Sequence, residues 1–123
     1  MGDVLELYDQ VGWAAYTKEP ERLKAGLEGS LLTLAAYDGG RLMGLIRAVG
    51  DGQTIVYIQD IAVAPSHQRK GMGTALVKAM LARFGSVRQM VLMTDDTPRT
   101  NAFYTSLGFR PMEAIGCRGF VRL

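Results

Sequence analysis

The stretch Gln68-Arg69-Lys70-Gly71-Met72-Gly73-Thr74 gathers the residue types that hold an anion. Glycines at 71 and 73 lack a Cβ, so the backbone there can approach a ligand closely and take up unusual φ values. An apolar helical pattern starts at Met72, and the first turn of a helix offers unbonded N–H groups and a positive dipole end. Arg69 and Lys70 add formal charge beside those amides. Phosphate is the usual ligand of such an arrangement, and a pyrophosphate suits it well. Two familiar phosphate loops do not fit. A nucleoside triphosphatase loop runs Gly, four residues, then Gly-Lys-Ser/Thr, whereas Lys70 precedes both glycines. A dinucleotide loop runs Gly-x-Gly-x-x-Gly, and Leu76 stands where its third glycine belongs. A glycine pair at a turn more often serves geometry than a ligand, so the flanking elements decide.

Leu5, Tyr8, Val11 and Ala15 recur at helical spacing and predict a first helix from about Val4 to Tyr16. Thr17-Lys18-Glu19-Pro20 breaks it. Pro20 suits the first turn of a second helix, with Leu23 and Leu27 on its buried side and Gly29 as its stop. Three strands follow, Ser30 to Tyr37, Arg41 to Val49 and Thr54 to Val63. They are joined by turns at Asp38-Gly39-Gly40 and Asp51-Gly52 into an antiparallel meander. Ala64-Pro65-Ser66-His67 is a loop, and Met72, Ala75, Leu76, Ala79 and Met80 mark a helix from about Gly71 to Phe84. Gln89 to Met93 is a further strand. From Thr54 to Met93 the chain is thus a β-α-β unit, which calls for parallel strands and a right-handed crossover. A short helix from Arg99 to Leu107 stops at Gly108, and Phe109 to Ala114 with Arg118 to Leu123 read as a closing hairpin. The glycine stretch therefore joins a strand to a helix, as an anion site requires.

Composition removes several functions. The chain of 123 residues is 48% apolar, ordinary for one globular domain with a real core, and it shows neither repeat nor linker. We expect a single domain over residues 1–123. Its net charge of +2, from 14 basic and 12 acidic residues, supplies no basic face for nucleic acid. Cys117 is the only cysteine, which excludes a disulfide framework and argues against a zinc site. His67 is the only histidine, so no His-rich metal centre is expected, and it reads as a surface residue. The N-terminus has no basic, then apolar, leader, and no apolar run approaches the length of a membrane span. The expected compartment is a reducing cytoplasm.

Gln68-Arg69-Lys70-Gly71-Met72-Gly73 matches the Gln/Arg-x-x-Gly-x-Gly/Ala signature of the GNAT superfamily of N-acetyltransferases. It follows Asp60-Ile61-Ala62-Val63-Ala64-Pro65, which resembles that family's central strand and exit loop. Further on, Asn101-Ala102-Phe103-Tyr104-Thr105-Ser106-Leu107-Gly108-Phe109 resembles the second hallmark, an Asn followed by Phe-Tyr and then Leu-Gly-Phe. The resemblance runs from about Ser30 to the C-terminus, and Gly44 to Gly52 is similar to small bacterial members of unassigned substrate. It implies an α/β (α+β) fold: a mixed, mostly antiparallel sheet with helices on both faces and a splayed pair of parallel strands. It implies acetyl-CoA as cosubstrate, with no metal. The pantetheine arm lies in the slot, paired with backbone near Ile61, Ala62 and Val63. The pyrophosphate sits on the loop, held by Gln68, Arg69, Lys70, Gly71, Met72, Gly73 and Thr74. Asn101 hydrogen-bonds the cofactor, with Phe103 beside it, and Tyr104 is the catalytic residue, its phenol near the thioester sulfur. The family normally begins with a strand before its first helix, and this sequence starts in or near that helix. Related proteins often form dimers, so a homodimer is among the expected partners.

The implied reaction is direct attack of a primary amine on the thioester in a ternary complex. An alkylamine with a pKa near ~10.4 is almost wholly protonated at neutral pH, so it has to lose a proton first. The base stays open. Asp95 and Asp96 follow a strand that borders the slot, although a solvated loop with a helix cap accounts for them better. A water relay without a single base is equally consistent. If side chains alternate along the third strand, Tyr57, Gln59, Ile61 and Val63 share one face, and Val56, Ile58, Asp60 and Ala62 the other. The resemblance places Tyr57 and Gln59 on the acceptor side, where Gln59 can orient an amine or a water but cannot take its proton. Trp13 and Tyr16 join them as candidate acceptor-pocket residues, with core packing of the first helix the simpler account. Cys117 reads as a small buried hydrophobe. The acceptor is a small-molecule or a peptide or protein amine. The competing reading is a non-catalytic module on the same fold that senses CoA or binds a partner protein.

Overall fold

The computed structural model describes residues 1–123, and their contacts divide them into two compact units, Met1–Met93 and Thr94–Leu123. The first unit opens with α1 (Gly2–Gln10), α2 (Ala14–Thr17) and α3 (Pro20–Glu28). The sequence predicts α1 and α2 as one helix. Gly12 separates them with φ +83°, a left-handed conformation that an α-helix cannot contain. No strand precedes α1 in residues 1–123.

Strands β1 (Leu32–Asp38), β2 (Arg41–Gly50), β3 (Ile55–Val63) and β4 (Gln89–Leu92) form one sheet in the order β1-β2-β3-β4. β1, β2 and β3 are antiparallel neighbours, and β3 and β4 are parallel, as the β-α-β unit demands. Gly39 and Gly40 close the first hairpin with φ +58° and +79°, the primed two-residue turn whose twist matches paired strands. At the second turn the Asp51 carboxylate accepts the amides of Gln53, Thr54 and Ile55 and the Thr54 hydroxyl. The Thr54 bond and those amides hold its pKa far below the ordinary carboxylate range.

Both faces of the sheet are covered. Leu42 to Ala48 of β2 are buried without interruption, so this strand has no solvent face. On one side Leu7 and Tyr8 of α1 and Leu23 of α3 pack with Met43, Leu45 and Ala62. On the other lies α4 (Met72–Arg83), which buries Leu76, Val77 and Met80. Gly44 makes that approach close: a Cβ there would lie 2.7 Å from the Met72 sulfur and 3.1 Å from Leu76 Cδ1.

The strand register contains an irregularity that alternation cannot reveal. Pairing between β2 and β3 passes from Arg47↔Asp60 to Ala48↔Ile58, so Gln59 is an extra residue, a β-bulge. Beyond it the facing of side chains changes. Gln59 and Asp60, expected on opposite faces, both hydrogen-bond the Tyr16 hydroxyl.

The second unit holds α5 (Pro98–Ser106) and a 3-10 turn over Met112–Ile115. The helix cap is Thr97, whose hydroxyl accepts the Thr100 amide at 3.2 Å, and not the neighbouring aspartates. The expected hairpin is not formed. Pro111 and the left-handed Gly116 (φ +76°) close a local turn instead, with Ala114 N bonded to Pro111 O and Cys117 N to Met112 O. Residues 118–123 carry no helix or strand, which leaves Phe120 exposed. Cys117 is also exposed, contrary to its expected burial, because no strand carries it inward.

Candidate active site

The parallel pairing stops part-way along β3, where β4 ends at Leu92. β3 and β4 pair only from Ile55↔Gln89 to Ile58↔Leu92, while β3 runs on to Val63. Ala64 N donates to Met43 O at 2.8 Å, which turns the peptide groups of Asp60, Ala62 and Ala64 toward β2 and those of Ile61 and Val63 to the open edge. An extended ligand can therefore add to this edge as a strand does. Ala62 is buried against β2, so Ile61 and Val63 are the residues that offer backbone groups here. The Val63 carbonyl accepts Gln68 Nε2 at 3.1 Å, which ties the loop to the end of β3 and leaves Ile61 and the Val63 N–H for a ligand.

The loop has the conformation of an anion cradle. Arg69 takes φ +63°, the only positive φ at a non-glycine residue, and Gly71 takes +86° as the N-cap of α4. A Cβ at Gly71 would meet nothing within 4 Å, so glycine serves the dihedral there and not the space. The first bond of the helix runs from Ala75 N to Gly71 O, and Gly71 supplies no side-chain cap. The amides of Met72, Gly73 and Thr74 are thus left for another acceptor. Arg69 and Lys70 are exposed and form no ion pair within the protein. Lys70, Gly71 and Met72 also line, with Ala36 of β1, Ala75 and Leu76, an open depression of about 460 Å³ that lies toward the sheet edge opposite β4. His67 holds the loop's approach in place, with Nε2 2.7 Å from Asp38 Oδ2 and Nδ1 2.8 Å from Ser66 Oγ.

Beside the bulge lies a polar cluster that sequence reasoning missed in part. Arg47 is 6% and Asp60 4% exposed, and Arg47 Nε donates to Asp60 Oδ2 at 2.7 Å. Tyr8 donates to the same oxygen at 3.0 Å, and Tyr16 donates to Asp60 Oδ1 at 2.7 Å. Burial disfavours the charge on Arg47, but its hydrogen bond and attraction to Asp60 outweigh that and raise its pKa. The signal for Arg47 was available: one cation inside an apolar strand has to find a partner. Trp13, Tyr8 and Tyr16 pack together, with ring centroids 5.0 Å apart for Tyr8–Trp13 and 6.0 Å for Trp13–Tyr16. Trp13 and Tyr16 thus serve the core, and Tyr16 also reaches Gln59. Tyr57 is half-buried and stands apart from these bonds.

Burial, with help from Asp60, raises the pKa values of Tyr8 and Tyr16. In the unfolded chain a phenol titrates near ~10, so above that pH the unfolded state releases protons that the folded state keeps. Stability is then full below about pH 10 and falls as pH rises further. Melting curves between pH 9 and 11 are expected to show this fall, and Tyr8→Phe to make it shallower. An unchanged slope in that variant contradicts the assignment.

In the second unit Tyr104 is half-buried against Phe103 (centroids 4.9 Å apart) and Phe109 (5.9 Å). A phenol is protonated at neutral pH, and burial raises the Tyr104 pKa further. Its hydroxyl makes no protein hydrogen bond. Asn101 is exposed and donates to Asp96 Oδ1 at 3.2 Å. Asp95 contributes its backbone carbonyl, which accepts the Thr100 hydroxyl at 2.6 Å.

A family model described as an acetyltransferase (GNAT) domain matches residues 4–123. An acetyltransferase of the GNAT family from Streptococcus pneumoniae superposes with a TM-score of 0.90 at 40% identity, covering 99% of this chain and 89% of that one. A probable acetyltransferase from Staphylococcus aureus gives 0.79 at 28% identity, covering 99% and 92%. Among curated relatives, serotonin N-acetyltransferase 2, chloroplastic, of Oryza sativa is 33% identical over 97% of this chain. The chain spans 60% of that relative's length and 59% of an uncharacterized N-acetyltransferase from Prochlorococcus marinus. With a matching domain model over nearly its whole length, this chain belongs to the GNAT acetyltransferase family.

Proposed function

We propose that this protein transfers the acetyl group of acetyl-CoA to a primary amine. One observation carries the reading: within a single unit, a strand edge left open beyond Ile58 leads to a loop whose amides face no protein acceptor. The first suits the amide-bearing pantetheine arm, and the second suits the pyrophosphate. Ile61 and Val63 pair with the arm, and the amides from Met72 to Thr74, with Arg69 and Lys70, hold the phosphates. Asn101 and Phe103 complete the cofactor contacts.

In this reading the amine arrives as an ammonium ion and gives one proton to water. Its lone pair then forms the C–N bond at the thioester carbonyl while the C–S bond breaks. The Tyr104 hydroxyl donates its proton to the departing thiolate, and the nitrogen's surplus proton leaves through water, which restores Tyr104. The products are the acetamide and free CoA. No carboxylate is needed as base. A primary amine is the common feature with the serotonin N-acetyltransferase that this chain resembles. The acceptor is a small molecule or a peptide or protein amine, met as a ternary complex by one protomer or a homodimer. No helix is long and apolar enough to cross a membrane. The exposed thiol of Cys117 suits a reducing compartment such as the cytoplasm.

Incubation with acetyl-CoA and a panel of amines, read by thiol release, tests the reading. Release that depends on an amine is expected, whereas CoA binding without release across the panel favours a sensing module. Arg69→Glu reverses a charge beside the phosphates, so the dissociation constant for CoA is expected to rise about tenfold. An unchanged constant contradicts the role of the loop.

A further inference from the structure

The bulge leaves Gln59 with a side chain whose orientation is decided by its neighbours. Tyr16 has one hydroxyl proton, and that proton goes to Asp60 Oδ1 at 2.7 Å. Asp60, paired with Arg47, is an acceptor only. The Tyr16 oxygen can therefore only accept from its other neighbours. It does so from Gln59 Nε2 at 3.2 Å and from Arg47 Nη2 at 3.3 Å. Turning the Gln59 amide over would set its carbonyl against an oxygen with no proton to give. One orientation is thus imposed, with Nε2 inward and Oε1 free of any protein partner. Gln59 lines a cleft of about 210 Å³ with Ala15, Tyr16, Glu19, Arg22, Leu23 and Arg47. An amine offers only N–H groups to such a site while its lone pair stays available.

We propose that Asp60, acting through the Tyr16 hydroxyl, fixes the Gln59 amide so that its carbonyl oxygen receives an N–H of the incoming amine. Gln59 is then the residue that holds the acceptor, and Tyr16, Asp60 and Arg47 are positioning residues. The cleft walls suit a primary amine carried on a short apolar or aromatic group: Ala15, Leu23 and the Tyr16 ring are apolar, while Glu19 is paired with Arg22 (Oε1 to Nε 3.6 Å) and leaves no free carboxylate to hold the ammonium form. This inference rests on the acyl-transfer reading for its ligand, but not for the orientation of Gln59.

Two measurements test it. With the best amine of the panel, Gln59→Ala is expected to raise the amine KM about tenfold, the effect of one hydrogen bond, with CoA affinity unchanged. Tyr16→Phe is expected to do the same, and the double variant no more than either single one, because the two changes remove one device. Independent effects that multiply in the double variant, or an unchanged KM in Gln59→Ala, overturn the inference. Orientation is read without turnover from the side-chain amide resonances of Gln59 in 15N-labelled protein. A clear shift between wild type and Tyr16→Phe is expected. Identical signals overturn the inference whether or not the protein acetylates anything, whereas a shift together with no thiol release faults only the acyl-transfer reading.

Discussion

Tyr104→Phe is expected to lower turnover by about a hundredfold or more, the usual range for a lost general acid, while CoA affinity stays the same. The substitution removes only an oxygen. The ring keeps its edge-on contacts with Phe103 and Phe109, so the surrounding packing has no reason to collapse. The hydroxyl it removes has no protein partner to leave stranded. A phenol is protonated at neutral pH, as a proton donor has to be, and burial pushes the Tyr104 pKa further up. The loss should therefore appear in kcat and spare both KM for acetyl-CoA and the melting temperature. Turnover at the wild-type level excludes Tyr104 as the acid and leaves water to protonate the thiolate.

The largest loss of stability is expected from Asp60→Ala, roughly 3–5 kcal/mol, because it strands a buried cation. Arg47 is as well buried as the apolar residues around it, and Asp60 is its only carboxylate. The same change leaves the hydroxyls of Tyr8 and Tyr16 without their acceptor. Replacing both charges together, Arg47→Met with Asp60→Leu, is expected to recover the part of the loss due to the stranded cation, while the Tyr8 and Tyr16 hydroxyls still lack their acceptor. Urea unfolding of the three proteins decides the matter. A cost under about 1 kcal/mol for Asp60→Ala would mean that Arg47 reaches solvent when its partner is removed.

The parts of the fold that local chemistry dictates were legible in the sequence. The Asp38-Gly39-Gly40 turn needs positive φ, Pro20 starts a helix and Gly29 follows its end, and the change from period two to helical spacing after Val63 marks the crossover. The glycine loop was legible for the same reason, as its residue types answer to its own backbone. What alternation could not show is the extra residue at Gln59, because a bulge exists only relative to its partner strand. That one residue reverses the facing expected for Asp60 and brings it to Tyr16. Apolar spacing carries across Gly12 as it does in a continuing helix, although its dihedral ends the helix there. The C-terminal hairpin failed differently. Phe120, Val121 and Leu123 have strand composition, but Pro111 and Gly116 favour a local turn, and composition alone does not pair a strand.

The clasping of a diphosphate by the loop from Arg69 to Thr74 is tested most directly by calorimetry of the folded protein with CoA and, separately, with pantetheine. The two ligands share the arm that fits the open edge of β3, and only CoA carries the diphosphate. Stoichiometric binding of CoA is expected, with pantetheine at least about a hundredfold weaker, since two charge-assisted phosphate contacts are lost. Equal affinity for both, or no heat with either, contradicts the site.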